Sequence, residues 1–258
     1  MWLERRVGNA RQLGGIRHVE LADGRGRGTR CLQVDTGEGG LSFTVVADRG
    51  LDIADCTFRG TNLVYHTPGG IAHPSYSDPA GGEWLRSFFG GLLTTCGLTY
   101  FGAPGRDGAE ELGLHGRYSS LPAARVCDHS RWEGDDYVLE ITGVVEECVL
   151  FGSRLRLTRT IRTRVGARSV SVHDVVENYG GARSPFTILY HINPGYPLLE
   201  EGSRIVVSSR SVEPYDERSA DQARAMYDVE APTEGYAEVN YLHTASAGPD
   251  GRGRAGLV

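Results

Sequence analysis

Hydrophobic and polar residues alternate along much of the chain, and the alternation is clearest in residues 153–165. Leu155, Leu157 and Ile161 fall on one side of an extended backbone, while arginines and threonines fall on the other. The alternation resumes after Gly166, so residues 153–177 are predicted to form an antiparallel hairpin on a large sheet. One face of that sheet packs in the core and the other faces solvent.

Arg159 interrupts the apolar side of this hairpin. A charged residue at such a position lies either at a sheet edge or in a cleft. We favour the sheet edge, where an arginine side chain reaches solvent without a buried partner.

Short alternating runs with turn residues between them continue through the chain, which contains 36 glycines and 11 prolines. Further strands are predicted at residues 30–34, 41–47, 51–58, 121–127, 137–150 and 254–258. One helical turn is predicted at residues 84–89. A long loop is predicted at residues 216–232, and a short surface helix is predicted at residues 218–227. The pattern predicts an all-β protein with few short helices, in a single domain over residues 1–258. Because the last strand begins and then stops, we expect this domain to be incomplete at its C-terminus.

The composition limits the binding partners and the cellular compartment that can be expected for the protein. The net charge of −6 and the lack of a basic, aromatic-rich block argue against nucleic acid. No stretch is long enough to cross a bilayer, and residues 1–6 do not form a secretory signal. The five cysteines form no Cys-x-x-Cys pair, so free thiols in the cytoplasm are expected. The chain contains no lysine, which excludes Schiff-base chemistry.

Two histidines are the main candidates for chemistry. His191 lies in a predicted strand over residues 184–194, where alternation places it on one face with Asn193 and places Tyr190 on the other. His115 lies in a turn between Gly113 and Gly116, where backbone can approach a ligand closely. Free imidazole titrates near pH ~6.5, so either ring could transfer a proton at neutral pH. The alternatives are a histidine bonded to a backbone carbonyl at the sheet end and an ordinary turn histidine.

His66 and His73 lie in a glycine-rich loop without the carboxylate or cysteine spacing of a metal site, so no metal is predicted.

Four segments resemble a known family in order and spacing. They read ADRGLDI at 47–53, GGLLTTCGL at 90–98, LHG at 114–116, and ENYG at 177–180 leading into YHIN at 190–193. Together they resemble the aldose 1-epimerase superfamily, also called galactose mutarotase-like, and within it an aldose-epimerase-related branch. Arg117, Ile192 and Gly195 depart from the better studied enzymes, so the resemblance does not identify the sugar.

The resemblance implies a supersandwich of large antiparallel sheets with an open cleft for a monosaccharide. It implies cofactor-free ring opening, in which His191 gives a proton to the ring oxygen and His115 assists. A carboxylate removes the anomeric proton. In the family this is a glutamate near the C-terminus, and no glutamate of this chain matches it.

Polar groups that fix the orientation of a sugar are expected in the same segments. The predicted substrate contacts are Arg49, Asp52, Arg86, Arg117, Asn193 and Tyr190. For the arginines, a surface or ion-pair role is the competing interpretation.

The leading hypothesis is therefore an aldose 1-epimerase-like isomerase that acts on a monosaccharide or sugar derivative. The alternative is a carbohydrate-binding or sensing domain without catalysis, which the unmatched glutamate favours. A lyase or glycosidase ranks last, because glycoside hydrolysis needs two facing carboxylates and the sequence indicates no such pair. An unpaired sheet edge would favour association, so a homodimer is compatible with this interpretation.

Overall fold

Short antiparallel strands make up most of the secondary structure of this computed structural model, which describes residues 2–258. The predicted all-β class with few short helices is confirmed. The chain divides into two compact units, residues 2–194 and Gly195–Val258. The single domain proposed from the sequence stays a prediction.

The first unit carries the two main sheets and both candidate histidines, His115 and His191. Its strands are β1 (Gly15–Glu20), β2 (Arg30–Asp35), β3 (Leu41–Val46), β4 (Asp52–Phe58), β5 (Thr61–Asn62), β6 (Thr94–Leu98), β7 (Gly105–Asp107), β8 (Glu110–Leu112), β9 (Ala124–Asp128), β10 (Arg131–Glu133), β11 (Asp136–Cys148), β12 (Arg154–Arg164), β13 (Ser171–Asn178) and β14 (Thr187–His191). Its 3₁₀ helices are Glu4–Arg6, Ala10–Gln12, Gly24–Gly26, Pro74–Tyr76, Glu83–Arg86 and Tyr118–Ser120.

The first sheet runs in the order β1-β2-β3-β4-β5 with every neighbouring pair antiparallel. Its inner face is a row of opposed apolar residues: Ile16 opposes Val34, Val34 opposes Phe43, and Phe43 opposes Cys56. All four are buried. The period of two along each strand therefore gives the sheet one apolar face.

The second sheet has the order β10-β11-β12-β13, with β9 also paired to β11. Ile141 opposes Ile161 on its inner face, and this face joins the inner face of the first sheet in one core cluster. On the outer face, Glu146 pairs with Arg156 at 2.8 Å and Glu140 pairs with Arg162 at 3.4 Å. These cross-strand charges explain why arginines line the outer face of β12.

Arg159 does not lie at a sheet edge, and that prediction is wrong. Its strand, β12, lies between β11 and β13, and the side chain has no exposed surface. The guanidinium pairs with Asp52 and Asp174, each at 2.8 Å, and also donates to the Thr95 hydroxyl. A fully buried arginine is tolerated here because carboxylates from two other strands neutralise it.

A short ladder of β6 and β14 carries one of the candidate histidines. It begins at the pair Thr187 and Leu98 and ends at the pair His191 and Thr94. The predicted strand over residues 184–194 is thus confirmed over its central part, and His191 is its last residue.

The second unit contains β15 (Ile205–Val207), β16 (Ser209–Pro214), α1 (Glu217–Asp221), a 3₁₀ helix at Ala223–Ala225, β17 (Tyr241–Ala245) and β18 (Ala255–Leu257). β15 pairs with β18, and β16 pairs with β17. The predicted surface helix at 218–227 therefore appears as α1 followed by a 3₁₀ turn, and the predicted last strand appears as β18.

Candidate functional site

His115 and His191 lie together in the first unit. Their ring centroids are 5.7 Å apart and the rings are nearly perpendicular, at 77°. Both residues are half-buried. Two imidazoles that lie 76 positions apart along the chain thus form one group, which we call the imidazole pair.

His115 is placed by a tightly packed glycine turn. Its backbone N–H donates to the Gly102 carbonyl at 2.9 Å, and its carbonyl accepts from the Gly97 N–H at 3.2 Å. A Cβ on Gly113 would lie 1.8 Å from the Pro79 carbonyl oxygen, and a Cβ on Gly116 2.2 Å from that of Tyr100. The two glycines flanking the Leu114–His115 segment are therefore needed for close contact with the backbone of Pro79 and Tyr100.

The His115 backbone is itself in a strained conformation, with a φ of 60°. A residue with a side chain adopts this left-handed region at a cost of about 1–3 kcal/mol, and such residues cluster at functional sites. The backbone of this turn therefore holds local strain at His115.

Two aromatic rings pack against the imidazole pair. Trp84 contacts His115 edge to face with a centroid distance of 4.8 Å, and the Phe88 centroid lies 5.5 Å from that of His191. Trp84 and Phe88 stack on each other at 4.5 Å. Trp84 is buried, and its indole N–H donates to the Ser119 hydroxyl at 2.9 Å. The imidazole pair therefore packs against an aromatic surface on one side.

Phe88 is a residue that the sequence reasoning missed. The signal was its spacing of four from Trp84, which places two side chains on the same side of a helical turn. The buried Trp84 ring stacks on Phe88 and makes an edge contact with His115.

Arg49 and Asp52 have no exposed surface, so neither offers an atom to a ligand in this structure. The Arg49 guanidinium donates to the carbonyls of Ser119, Ala72 and Ser87 at 2.5 to 3.0 Å. It thereby connects the segment after Trp84 to the helix after His115. Burial lowers the pKa of Arg49 to about 10, which leaves it charged at neutral pH. Asp52 pairs with Arg159 and accepts from Thr95.

The other predicted contacts lie in different surroundings. Arg86 is exposed and pairs with Glu83 at 2.6 Å, and Arg117 pairs with Glu110 at 3.1 Å. The Tyr190 hydroxyl donates to Asp174 at 2.9 Å, on the side of β14 opposite to His191. Desolvation by burial, followed by the charge of Asp174, raises the pKa of Tyr190 to about 12.

Asn193 is the predicted residue that the structure connects most directly to the imidazole pair. It is buried, and its side-chain amide donates to the backbone carbonyl of His191 at 3.0 Å.

Arg117 also lines a cleft of about 550 Å³. The cleft contains Glu147, a buried carboxylate that accepts from the Leu98 N–H at 2.5 Å and from the Thr99 hydroxyl. Sequence reasoning did not single out Glu147, because a glutamate on an alternating strand gives no sign of burial until its backbone donors are known.

Residues 2–258 hold no group of three or more histidines, cysteines or acidic residues placed to bind a metal ion. His66 lies 3.6 Å from an Asp55 oxygen, and His73 accepts from the Ser75 N–H at the start of a 3₁₀ helix. Over the same described residues, no helix is both long and apolar enough to cross a membrane.

The antiparallel sheets of this chain form a galactose mutarotase-like fold, as the resemblance implied. Within this class, the chain belongs to the family described as "Domain of unknown function (DUF4432)", whose model matches residues 26–258.

Two solved structures are similar to the chain. One is a candidate aldose 1-epimerase from Klebsiella pneumoniae subsp. pneumoniae, with a TM-score of 0.90, 24% identity and coverage of 97% of this chain and 67% of that one. The other is a galactose mutarotase-like protein from Clostridium acetobutylicum, with a TM-score of 0.54, 12% identity and coverage of 80% and 63%. The chain thus spans about two thirds of the length of each. At these identities the likeness shows the fold. No curated protein matches the chain.

Proposed function

We propose that the chain is an aldose 1-epimerase-like protein that interconverts the anomers of a monosaccharide or sugar derivative. The observation that carries the proposal is the imidazole pair, with ring centroids 5.7 Å apart against two aromatic rings. A sugar ring oxygen lying beside the pair could accept a proton from one imidazole and a hydrogen bond from the other. Histidine is suited to this role because its proton is exchangeable near neutral pH.

In the proposed reaction, His191 gives its proton to the ring oxygen while a base removes the proton of the anomeric hydroxyl. The bond between the anomeric carbon and the ring oxygen breaks, and its electron pair stays on the oxygen. The open aldehyde then rotates and closes on its other face, which returns both protons. His115 supports His191 by a hydrogen bond near the ring oxygen. No metal or nucleotide cofactor takes part in this proposal.

Exchange NMR or polarimetry on freshly dissolved α-anomers of common aldoses tests the proposal. A positioned acid contributes about 10²- to 10⁴-fold in rate, so His191→Ala and His115→Ala are each expected to lose activity on that scale. His173→Ala is the matched control, because His173 is exposed on β13. Equal rates for wild type and His191→Ala would reject the catalytic role.

A second function, sugar binding without catalysis, would use the same half-buried imidazole pair and the aromatic rings packed against it. Calorimetry distinguishes the two functions. Sugar binding without anomer interconversion would support a binding or sensing domain, in which the imidazole pair donates hydrogen bonds to a bound sugar.

A further inference from the structure

Asn193 has the surroundings of a residue that orients backbone. Its side chain is buried, and its amide nitrogen lies 3.0 Å from the His191 carbonyl, 3.1 Å from the Gly90 carbonyl and 3.0 Å from the Gly91 carbonyl. Three acceptors converge on one NH₂ group that has two hydrogens. A carbonyl or carboxylate oxygen at this position would face three other oxygens, so only a donor fits.

These hydrogen bonds lie at the end of the β6–β14 ladder that contains His191. His191 is the last residue of β14, and its partner Thr94 is the first residue of β6. Beyond this pair, the Asn193 carbonyl accepts from the Tyr65 N–H at 2.8 Å, and the Gly91 N–H donates to the Tyr65 carbonyl at 2.8 Å. Asn193 therefore lies where three segments meet: the end of β14, residue 65 and the turn at residues 90–91.

The turn at residues 90–91 has a backbone conformation that directs both of its carbonyls to the Asn193 amide. Gly90 and Gly91 have φ values of 75° and 78°, and a Cβ on either would lie within 2.5 Å of a backbone carbonyl oxygen. Phe88 lies two residues before this turn, with its ring 5.5 Å from that of His191. Asn193 thus bonds both to the backbone of His191 and to the segment that carries the ring packed against His191.

We infer that Asn193 is a positioning residue that fixes His191 in the imidazole pair through the His191 and Gly90–Gly91 carbonyls, rather than a substrate contact. This inference rests on the proposed function. It predicts an effect on the chemical step, since misplacement of a catalytic group by about 1 Å can cost about 10²-fold in rate. A substrate contact would instead raise KM.

Steady-state mutarotation by Asn193→Ala, Asn193→Asp and Asn193→Ser tests the inference. Asn193→Ala is expected to lower kcat by about 10²-fold with KM changed less than about twofold. Asn193→Asp is expected to recover activity, relative to wild type, as the pH falls, because only its protonated carboxyl can donate. Asn178→Ala is the matched control, since it removes a similar side-chain hydrogen bond, to the Ala182 carbonyl, from an exposed turn.

Different outcomes separate the inference from the proposed function. A folded Asn193→Ala with wild-type kcat, or with a raised KM and unchanged kcat, overturns the positioning role. If Asn193→Ala does not fold, Asn193→Ser replaces it in the test, because serine retains one hydrogen-bond donor. The inference then requires that the kcat of Asn193→Ser at neutral pH lies between those of wild type and Asn193→Asp. If the wild type itself has no mutarotase activity, the proposed function fails. The placement of His191 is then read from its ring-proton NMR shifts, which must move in Asn193→Ser and stay unchanged in Asn178→Ala.

Discussion

Arg159 and Asp52 form an ion pair in which neither side chain has any exposed surface, with an Nη1 to Oδ1 distance of 2.8 Å. Asp174 pairs with the same guanidinium, and its own side chain is 2% exposed. Arg159, in the second sheet, thus binds one carboxylate from the first sheet and a second carboxylate from its own sheet. Removal of the arginine would leave two buried carboxylates without a counterion.

Arg159→Met is therefore expected to lower the free energy of unfolding of the first unit by about 3–5 kcal/mol. Urea unfolding followed by tryptophan fluorescence measures this, because Trp2, Trp84 and Trp132 all lie in residues 2–194. Arg162→Met is the matched control on the exposed face of the same strand, with an expected cost below about 1 kcal/mol. Equal costs for the two variants would mean that the buried pair contributes nothing beyond a surface one.

A glycine comparison separates steric contact from backbone strain. Gly90 and Gly60 have φ values of 75° and 80°, so alanine is strained at both. A Cβ on Gly90 would lie 2.2 Å from the Tyr65 carbonyl oxygen, whereas a Cβ on Gly60 would meet nothing within 4 Å. Gly60→Ala is expected to cost about 1–2 kcal/mol from the left-handed conformation alone. Gly90→Ala should cost clearly more and also shift the ring-proton NMR signals of His191. Similar urea midpoints for the two variants would contradict this account.

The strands were predictable where burial follows a period of two. Leu155, Leu157 and Ile161 alternate with polar residues because β12 has one face in the core and one in solvent. The same rule failed at Arg159, since a charge on an apolar face indicates an edge unless its partners are known. Asp52 lies 107 positions away in sequence, and nothing in the local pattern indicates that it faces Arg159.

The site was predictable only in part, for a similar reason. Alternation placed His191 and Tyr190 on opposite faces of one strand, which agrees with the hydrogen bond from Tyr190 to Asp174. The proximity of His115 to His191 depends on how a glycine turn meets a separate strand, and only the family resemblance indicated it. Arg49 matched a family segment, but its three carbonyl partners come from three separate segments of the chain that no local pattern relates.

The N-terminus of α1 provides a pH-dependent prediction in the second unit. Asp216 accepts from the Ser219 hydroxyl at 2.6 Å and from the Ser219 N–H at 2.8 Å, and these bonds lower the pKa of Asp216. A carboxyl with a lowered folded-state pKa stabilises the fold above its unfolded value, near pH ~3.9, and this stabilisation is lost as the pH falls through the folded value. Carboxyl ¹³C NMR titration should show a lower pKa folded than in urea. Ser219→Ala should raise the folded value, and an unchanged titration would contradict the assignment.

The five cysteines should divide into two classes by reactivity. Cys31, Cys56 and Cys96 are buried, while Cys127 and Cys148 are exposed. Burial raises the pKa of Cys31 and Cys96 to about 12 and that of Cys56 to about 11, so little thiolate forms at these positions at neutral or mildly alkaline pH. Because the thiolate is the reactive form, a thiol reagent at pH ~8 should modify two cysteines rapidly in the folded protein and the remaining three only in urea. The double variant Cys127→Ser with Cys148→Ser should lose the rapid phase. Rapid modification of all five without denaturant would show that the core around β2, β4 and β6 opens to solvent.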